Sequence, residues 1–237
     1  MHKRTLTRNR TVEDESASAT RHLPAATVFM VDDDPAVLIS LSRLLRSAGL
    51  TVENFGSPQE FLDQHDPHAP GCLVLDVAMP GLNGLELQEA LTKMGSTIPI
   101  IFLTGHGTVP ASVKAMKGGA LDFLSKPVDE KDLLAAIHIA IEKDGLARQR
   151  CAEIDEIQAR LKTLTPRELE VLTHVVSGQL NKQIAYDLGT VEKTIKVHRA
   201  RVMEKMKANS VAELVHLCER VGIGNEWRVA SGQGDDE

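Results

Sequence analysis

Cys72-Leu73-Val74-Leu75-Asp76-Val77-Ala78-Met79-Pro80-Gly81 decides the fold of this chain. A short apolar run delivers one carboxylate, Asp76, to the point where a buried strand would emerge into a Pro/Gly loop. The same device recurs along the sequence. Upstream, Val28-Phe29-Met30-Val31 runs into Asp32-Asp33-Asp34. Downstream, Ile100-Ile101-Phe102-Leu103 ends in Thr104-Gly105, and Leu121-Asp122-Phe123-Leu124 ends in Ser125-Lys126-Pro127. Strand-like runs alternating with helical patterns are the signature of a parallel sheet, and ligands bind outside the carboxyl ends of such strands. Carboxylates gathered there with one lysine and one hydroxyl suit a divalent cation and a phosphoryl group.

Five strands are expected, over Thr27–Val31, Thr51–Phe55, Cys72–Leu75, Ile98–Leu103 and Leu121–Leu124. The fold class is therefore α/β, a doubly wound five-stranded parallel sheet, followed by a small all-α domain. Asp34-Pro35 reads as an N-cap with proline in the first turn, opening a helix that stops at Gly49. Ser57-Pro58-Gln59-Glu60 has the pattern of a capping box. Further helices are expected from Gly84 to Met94, from Val109 to Met116, and from Asp129 to Ile141. Residues 144–160 read as a helical linker. Ile154, Ile157 and Leu161 there could form a coiled-coil seam or pack on their own domain.

From Thr165 the pattern is all-helical. Thr165-Pro166-Arg167-Glu168 is a further capping box. Asn181 is expected to cap a short helix, Lys182 to Leu188, that stops at Gly189. A longer basic helix follows from Val191 to about Met206, and a last one from Ser210 to Val221. A short helix, a glycine turn and a longer basic helix make a helix-turn-helix. The polar N-terminal stretch 1–25 and the tail 225–237 are expected to be disordered or frayed.

At 237 residues, 42% hydrophobic and 25% charged, the chain has room for two modest globular domains. No apolar run reaches the roughly 18 residues of a membrane span, and no signal peptide is recognisable. Cys72, Cys151 and Cys218 fit neither a disulfide framework nor a zinc spacing, so a cytoplasmic protein without membrane association is expected. Charge is segregated. Residues 27–143 hold fifteen Asp/Glu against eight Lys/Arg, whereas residues 182–207 hold seven Lys/Arg against three Asp/Glu. The basic stretch is the candidate face for a polyanion.

Asp33 and Asp76 can ligate Mg2+ directly, with Asp32 as an outer ligand through water. Asp76 is the candidate nucleophile, Lys126 and the metal offset charge, and Thr104 can hydrogen-bond a phosphoryl oxygen. Lys126-Pro127 could be cis or trans. Ile195, Val202 and Met206 fall on one stripe of the basic helix, facing its core. Lys196 and Val197 are assigned to base edges, and Lys182, Lys193, Arg199 and Arg201 to phosphates. Thr194 and Ala200 complete the candidate DNA face, and His198 could be a core residue or a contact. Phosphohydrolases that use an aspartyl phosphate place a second aspartate two residues after the nucleophile. Ala78 stands there, so an enzyme is not expected.

VDDDPAV, LDVAMPGLNGLEL and FLTGHGTVPASVKAMKGGALDFLSKP resemble the receiver domain of bacterial response regulators. TPRELEVL, NKQIAYDLG and KTIKVHRARVMEKM resemble the LuxR-type (NarL/FixJ) DNA-binding domain. The resemblance implies a receiver over 26–143 and a helix-turn-helix domain over 161–224. It implies Asp76 as phospho-acceptor, Asp32 and Asp33 as the acidic pair, and the Ala78 carbonyl as a metal ligand. Thr104 and Phe123 become the switch pair and Lys126 the phosphate-binding lysine. It further implies a sensor histidine kinase, double-stranded promoter DNA, RNA polymerase and a homodimer formed on phosphorylation as partners, with activation as output. The sequence departs from the family at Ala78, often arginine, at Thr108, usually aspartate, and at Val191, usually a serine cap.

Overall fold

The computed structural model describes residues 26–105 and 109–223. The expectations for residues 1–25, Thr108 and the tail after Trp227 lie outside these.

Five parallel strands form the sheet: β1 (Thr27–Val31), β2 (Thr51–Phe55), β3 (Gly71–Asp76), β4 (Ile100–Thr104) and β5 (Asp122–Ser125). Their order is β2-β1-β3-β4-β5, every pairing parallel. This is the doubly wound, flavodoxin-like α/β architecture. β3 and β4 are buried at every residue, as strands covered on both faces must be. At the edge, β2 turns Val52 and Phe55 inward and Glu53 outward. The expected fourth strand is shorter at its start, because Pro99 has no N–H to donate and the ladder begins at Ile100.

The helices in the first part of the chain are α1 (Pro35–Ser47), α2 (Pro58–Gln64), α3 (Gly84–Lys93) and α4 (Val109–Lys117). Their starts follow local chemistry. Asp34 Oδ1 accepts from the Ala36 N–H at 2.8 Å. Ser57 Oγ accepts from the Glu60 N–H at 3.2 Å, while Glu60 reaches back past Ser57 to the Gly56 N–H. Asn83 and Glu86 exchange hydrogen bonds of 2.9 and 3.0 Å, a capping box at the start of α3.

α5 (Glu130–Leu161) is one unbroken helix. The helix expected to end near Ile141 and the linker expected after it are continuous. Asp144 and Gly145 are poor helix formers, but Arg148 one turn on binds buried Asp144 at 2.7 Å and braces that turn.

By contact density the described chain divides into two units. The first holds the sheet, runs to Leu87 and resumes over Ile100–Leu134. The second takes Gln88–Pro99 and everything from Ala135 on. Its C-terminal helices are α6 (Pro166–Val176), α7 (Asn181–Asp187), α8 (Glu192–Met206) and α9 (Val211–Arg220). Val171, Leu172, Ile184, Ile195, Val202 and Leu214 form the core there, each fully buried. Ile157 belongs to this cluster and Leu161 packs against it, so that end of α5 packs on the C-terminal helices. Cys72 and Cys218 are buried, and Cys151 on α5 is exposed.

Two glycines permit close backbone approaches. A Cβ on Gly71 would lie 1.8 Å from the Thr27 carbonyl oxygen, and one on Gly84 would lie 2.2 Å from that of Asp76. Gly84 thus lets α3 start directly against the end of β3. Gly71→Ala should cost about 3 kcal/mol through overpacking and strain where β1 meets β3, measured by denaturant unfolding. Gly95→Ala, with open space around its Cβ, should cost less.

Candidate functional site

The strand order reverses between β1 and β3, and the carboxyl ends of these two strands deliver Asp32 and Asp76 to one crevice. Both carboxylates are nearly buried, at 3% and 5% exposure. An isolated buried carboxylate is costly, so each requires a counter-charge. Lys126, at the end of β5, supplies it. Its Nζ lies 2.6 Å from Asp32 Oδ2 and 2.8 Å from Asp76 Oδ1. Burial lowers the lysine pKa, but its hydrogen bonds to Asp32 and Asp76 outweigh that and leave it raised. The Lys126–Pro127 peptide is cis.

The remaining carboxylate oxygens are also held. Asp32 Oδ1 accepts from the Asp34 N–H at 3.0 Å, and Asp76 Oδ2 from the Ala78 N–H at 2.8 Å. Asp34 is engaged at the helix cap, as its position before Pro35 predicts. Thr104 closes β4 and is buried, and its carbonyl accepts from the Lys126 N–H at 2.7 Å. The backbones of the two residues are thereby tied together. Phe123 is half-buried on β5, its ring centroid 6.1 Å from that of Phe102.

Asp33 and Ala78, close in sequence to Asp32 and Asp76, are exposed. Among the described residues no three His, Cys, Asp or Glu side chains converge as a metal cage. Magnesium does not need one, since it retains several waters and takes one or two carboxylates. Asp32 and Asp76 already hold a single cationic nitrogen between them, which is an oxygen donor set of the right hardness. The residues fit the ion.

In the helical unit, Ile195, Val202 and Met206 are fully buried, as their stripe predicts. Lys193, Lys196, Val197, Ala200 and Arg201 are exposed on α8, with Thr194 half-buried. Lys182 is exposed on α7. Lys196 pairs with Glu192 one turn back at 3.1 Å, both exposed. The His198 ring is half-buried and its Nδ1 is shut away from the surface, so it faces inward.

One expectation about a helix start is corrected. Asn181 does not cap α7. Leu180 holds the cap position, its N–H donating to Gln183 Oε1 at 2.8 Å, because Asn181 Oδ1 instead accepts from Arg199 Nη1 at 3.1 Å. Arg199 is accordingly half-buried and ties α8 to α7. At the start of α8 the N-cap is Val191, with no side-chain hydrogen bond, so the usual serine cap has no replacement there.

The clamp on α8 was not foreseen from sequence. Glu168 closes the capping box with Thr165 and also binds Lys205 Nζ at 2.6 Å while almost fully buried. Arg160, at the end of α5, donates to the Met206 carbonyl at 3.1 Å. Arg167 donates to the Leu188 carbonyl at 2.6 Å. Arg220 on α9 pairs with Glu153 on α5. The capping pattern accounts for only half of what Glu168 does, and the basic residues met by these groups lie too far along the chain for spacing to reveal.

The family profile described as "Response regulator receiver domain" matches residues 28–138, and that of "Bacterial regulatory proteins, luxR family" matches 162–218. Nodulation protein W of Bradyrhizobium diazoefficiens is 46% identical over 198 residues, covering 84% of this chain and 87% of that protein. The chain belongs to the NarL/FixJ-type response regulators.

Transcriptional regulatory protein FixJ of the same organism is 44% identical over 199 residues, covering 84% of this chain and 97% of FixJ. The low-resolution structure of response regulator StyR matches with a TM-score of 0.77 at 47% identity, covering 83% of this chain and 99% of that one. As a NarL/FixJ-type regulator the protein is a phosphorylation-controlled, DNA-binding transcriptional regulator of a two-component system. A sensor kinase stands upstream of its receiver and DNA is the target of its LuxR-type domain.

The Lys205 ammonium, with the Thr165 N–H, brings the Glu168 pKa from 4.5 to about 2. A carboxylate depressed in the folded state stabilises it fully above its ordinary pKa, and that contribution is lost as pH falls toward the folded value. The melting temperature of the parent should therefore exceed that of Glu168→Gln most above pH 4.5, with the gap closing toward about pH 2. Melts across that range check it; a gap that widens on acidification would contradict the ion pair.

Proposed function

We propose that Asp76 accepts the phosphoryl group and that the crevice residues act on it in distinct ways. The observation that carries this reading is the joint hold of Lys126 on Asp32 and Asp76 at the switch point of the sheet. The donor is a phosphohistidine of the kinase. A carboxylate oxygen of Asp76 attacks phosphorus, the P–N bond breaks, and the imidazole nitrogen leaves with the electron pair. Lys126 follows the negative charge onto the phosphoryl oxygens, and the Thr104 hydroxyl donates to one of them. Magnesium, held by Asp32, Asp33, Asp76 and the Ala78 carbonyl, supplies Lewis-acid charge compensation when bound. Movement of Thr104 toward the phosphoryl group opens space beside β4 and β5 into which Phe123 turns, and the repacked surface favours a homodimer.

On this reading 26–143 is the receiver, 144–160 the linker and 161–224 the DNA-binding domain. α8 enters the major groove of promoter DNA and α7 crosses the backbone. Lys196 and Val197 read base edges, with Thr194 and Ala200 beside them. Lys182, Lys193 and Arg201 meet phosphates, and Arg199 meets one while bracing α7. The regulator works in the cytoplasm as an activator that engages RNA polymerase and has no enzymatic output. Among the described residues no helix is long and apolar enough to cross a membrane.

Asp76→Asn should abolish acid-labile labelling by acetyl phosphate with magnesium, because an amide is a poor nucleophile; full labelling of the variant would overturn the assignment.

For the DNA face, Lys196→Ala should cost about 1–3 kcal/mol and relax preference at one base pair. Arg201→Ala should instead weaken all sequences alike and flatten the logarithmic salt slope by about one unit. Titrations of site variants at several salt concentrations separate the two.

A further inference from the structure

Two large aliphatic side chains on α5 face solvent. Ile139 is 58% and Leu146 51% exposed, two helical turns apart on the same side. They share one shallow groove with Glu142, Lys143, Ala147 and Arg150. Elsewhere α5 buries its aliphatic residues well, with Leu133, Ile137 and Ile157 at 3% exposure or less. The open pair thus stands apart from the helix's inward face.

We propose that this face of α5 docks against the same face of a second copy, antiparallel, about a two-fold axis between Glu142 and Lys143. The order of residues makes the stripe complementary to itself only in that arrangement. Ile139 meets Leu146 of the second copy, and Leu146 meets its Ile139. Glu142 meets Lys143 of the second copy, and Lys143 meets its Glu142. Each contact thus occurs twice, as an isologous interface requires. A parallel, in-register pair would instead bring Glu142 toward Glu142 and Lys143 toward Lys143, like charges beside an apolar seam. An unrelated partner would give no reason for both apolar and both charged positions to match their own mirror order.

The stripe is short. Two aliphatic residues per copy fall well below the roughly 800 Å2 per partner of a stable interface. The contact is therefore an auxiliary one. It rests on the homodimer proposed above and adds to its affinity.

Charge reversal tests the register. The full-length chain, phosphorylated with acetyl phosphate and magnesium, is followed by sedimentation equilibrium. Glu142→Lys and Lys143→Glu should each raise the dimer dissociation constant by about threefold to thirtyfold, because two exposed pairs become repulsive. The double variant should return it to near the parent value, since the swapped charges face each other again. Leu146→Asp should raise it about tenfold or more. Glu142, Lys143 and Leu146 are all exposed, so melting temperatures should stay close to the parent and show that folding is intact. A parent that dimerises, with single variants that dimerise equally well, overturns this interface and leaves the dimer reading standing. Single variants that weaken the dimer without rescue in the double variant overturn the antiparallel register. A phosphorylated parent that stays monomeric at all concentrations overturns both.

Discussion

Everything in the receiver half depends on one ammonium. Asp32 and Asp76 come from different strands and are both almost sealed from water, and without Lys126 two like charges would face each other in a poorly solvated crevice. The lysine turns that repulsion into a bound arrangement. It also marks where added negative charge would be compensated, because the same nitrogen lies against Asp76 Oδ1. The backbone is arranged around this constraint. Gly84 lets α3 begin against the Asp76 carbonyl, the Ala78 N–H holds the second Asp76 oxygen, and the Lys126 N–H is tied to the Thr104 carbonyl. Charge added there would perturb a network whose members are already in mutual contact.

The DNA-binding half shows a comparable economy at the far end of α8. Its last turn is gripped from two sides, by Glu168 through Lys205 and by Arg160 through the Met206 carbonyl. The first turn lacks a side-chain cap, since valine stands at the cap position. The helix is therefore held at its last turn by charged side chains beyond its packing, while its first turn has no side-chain cap. On the proposed reading of α8, fastening matters for readout, because a base-edge contact worth about 1–3 kcal/mol would be lost if the helix rolled or slid.

Much of this was legible in the sequence because it is local. Apolar runs ending in Asp32, Asp76, Thr104 and Lys126 gave the strands, and the alternation with helical patterns gave the parallel sheet. Asp34, Ser57, Thr165 and Ser210 marked helix starts through hydrogen bonds spanning two or three residues. What escaped was non-local or depended on competition between partners. Asn181 looks like a cap until Arg199, distant along the chain, takes its oxygen. Glu168 looks like half a capping box until Lys205 arrives from another helix. Even where the residues of the crevice were recognised, their sharing of one nitrogen is a fact of three dimensions that no spacing encodes.

The three cysteines, unremarked in the chemistry, have a practical consequence. Cys72 is buried in the sheet and Cys218 in the helical core, where burial also pushes the Cys218 thiol up to about 11. Cys151 is exposed on α5, between the stripe around Leu146 and the turn where Ile157 joins the C-terminal core. Of the three thiols, only Cys151 is exposed. A spin label or fluorophore can be attached there without removing any other sulfur.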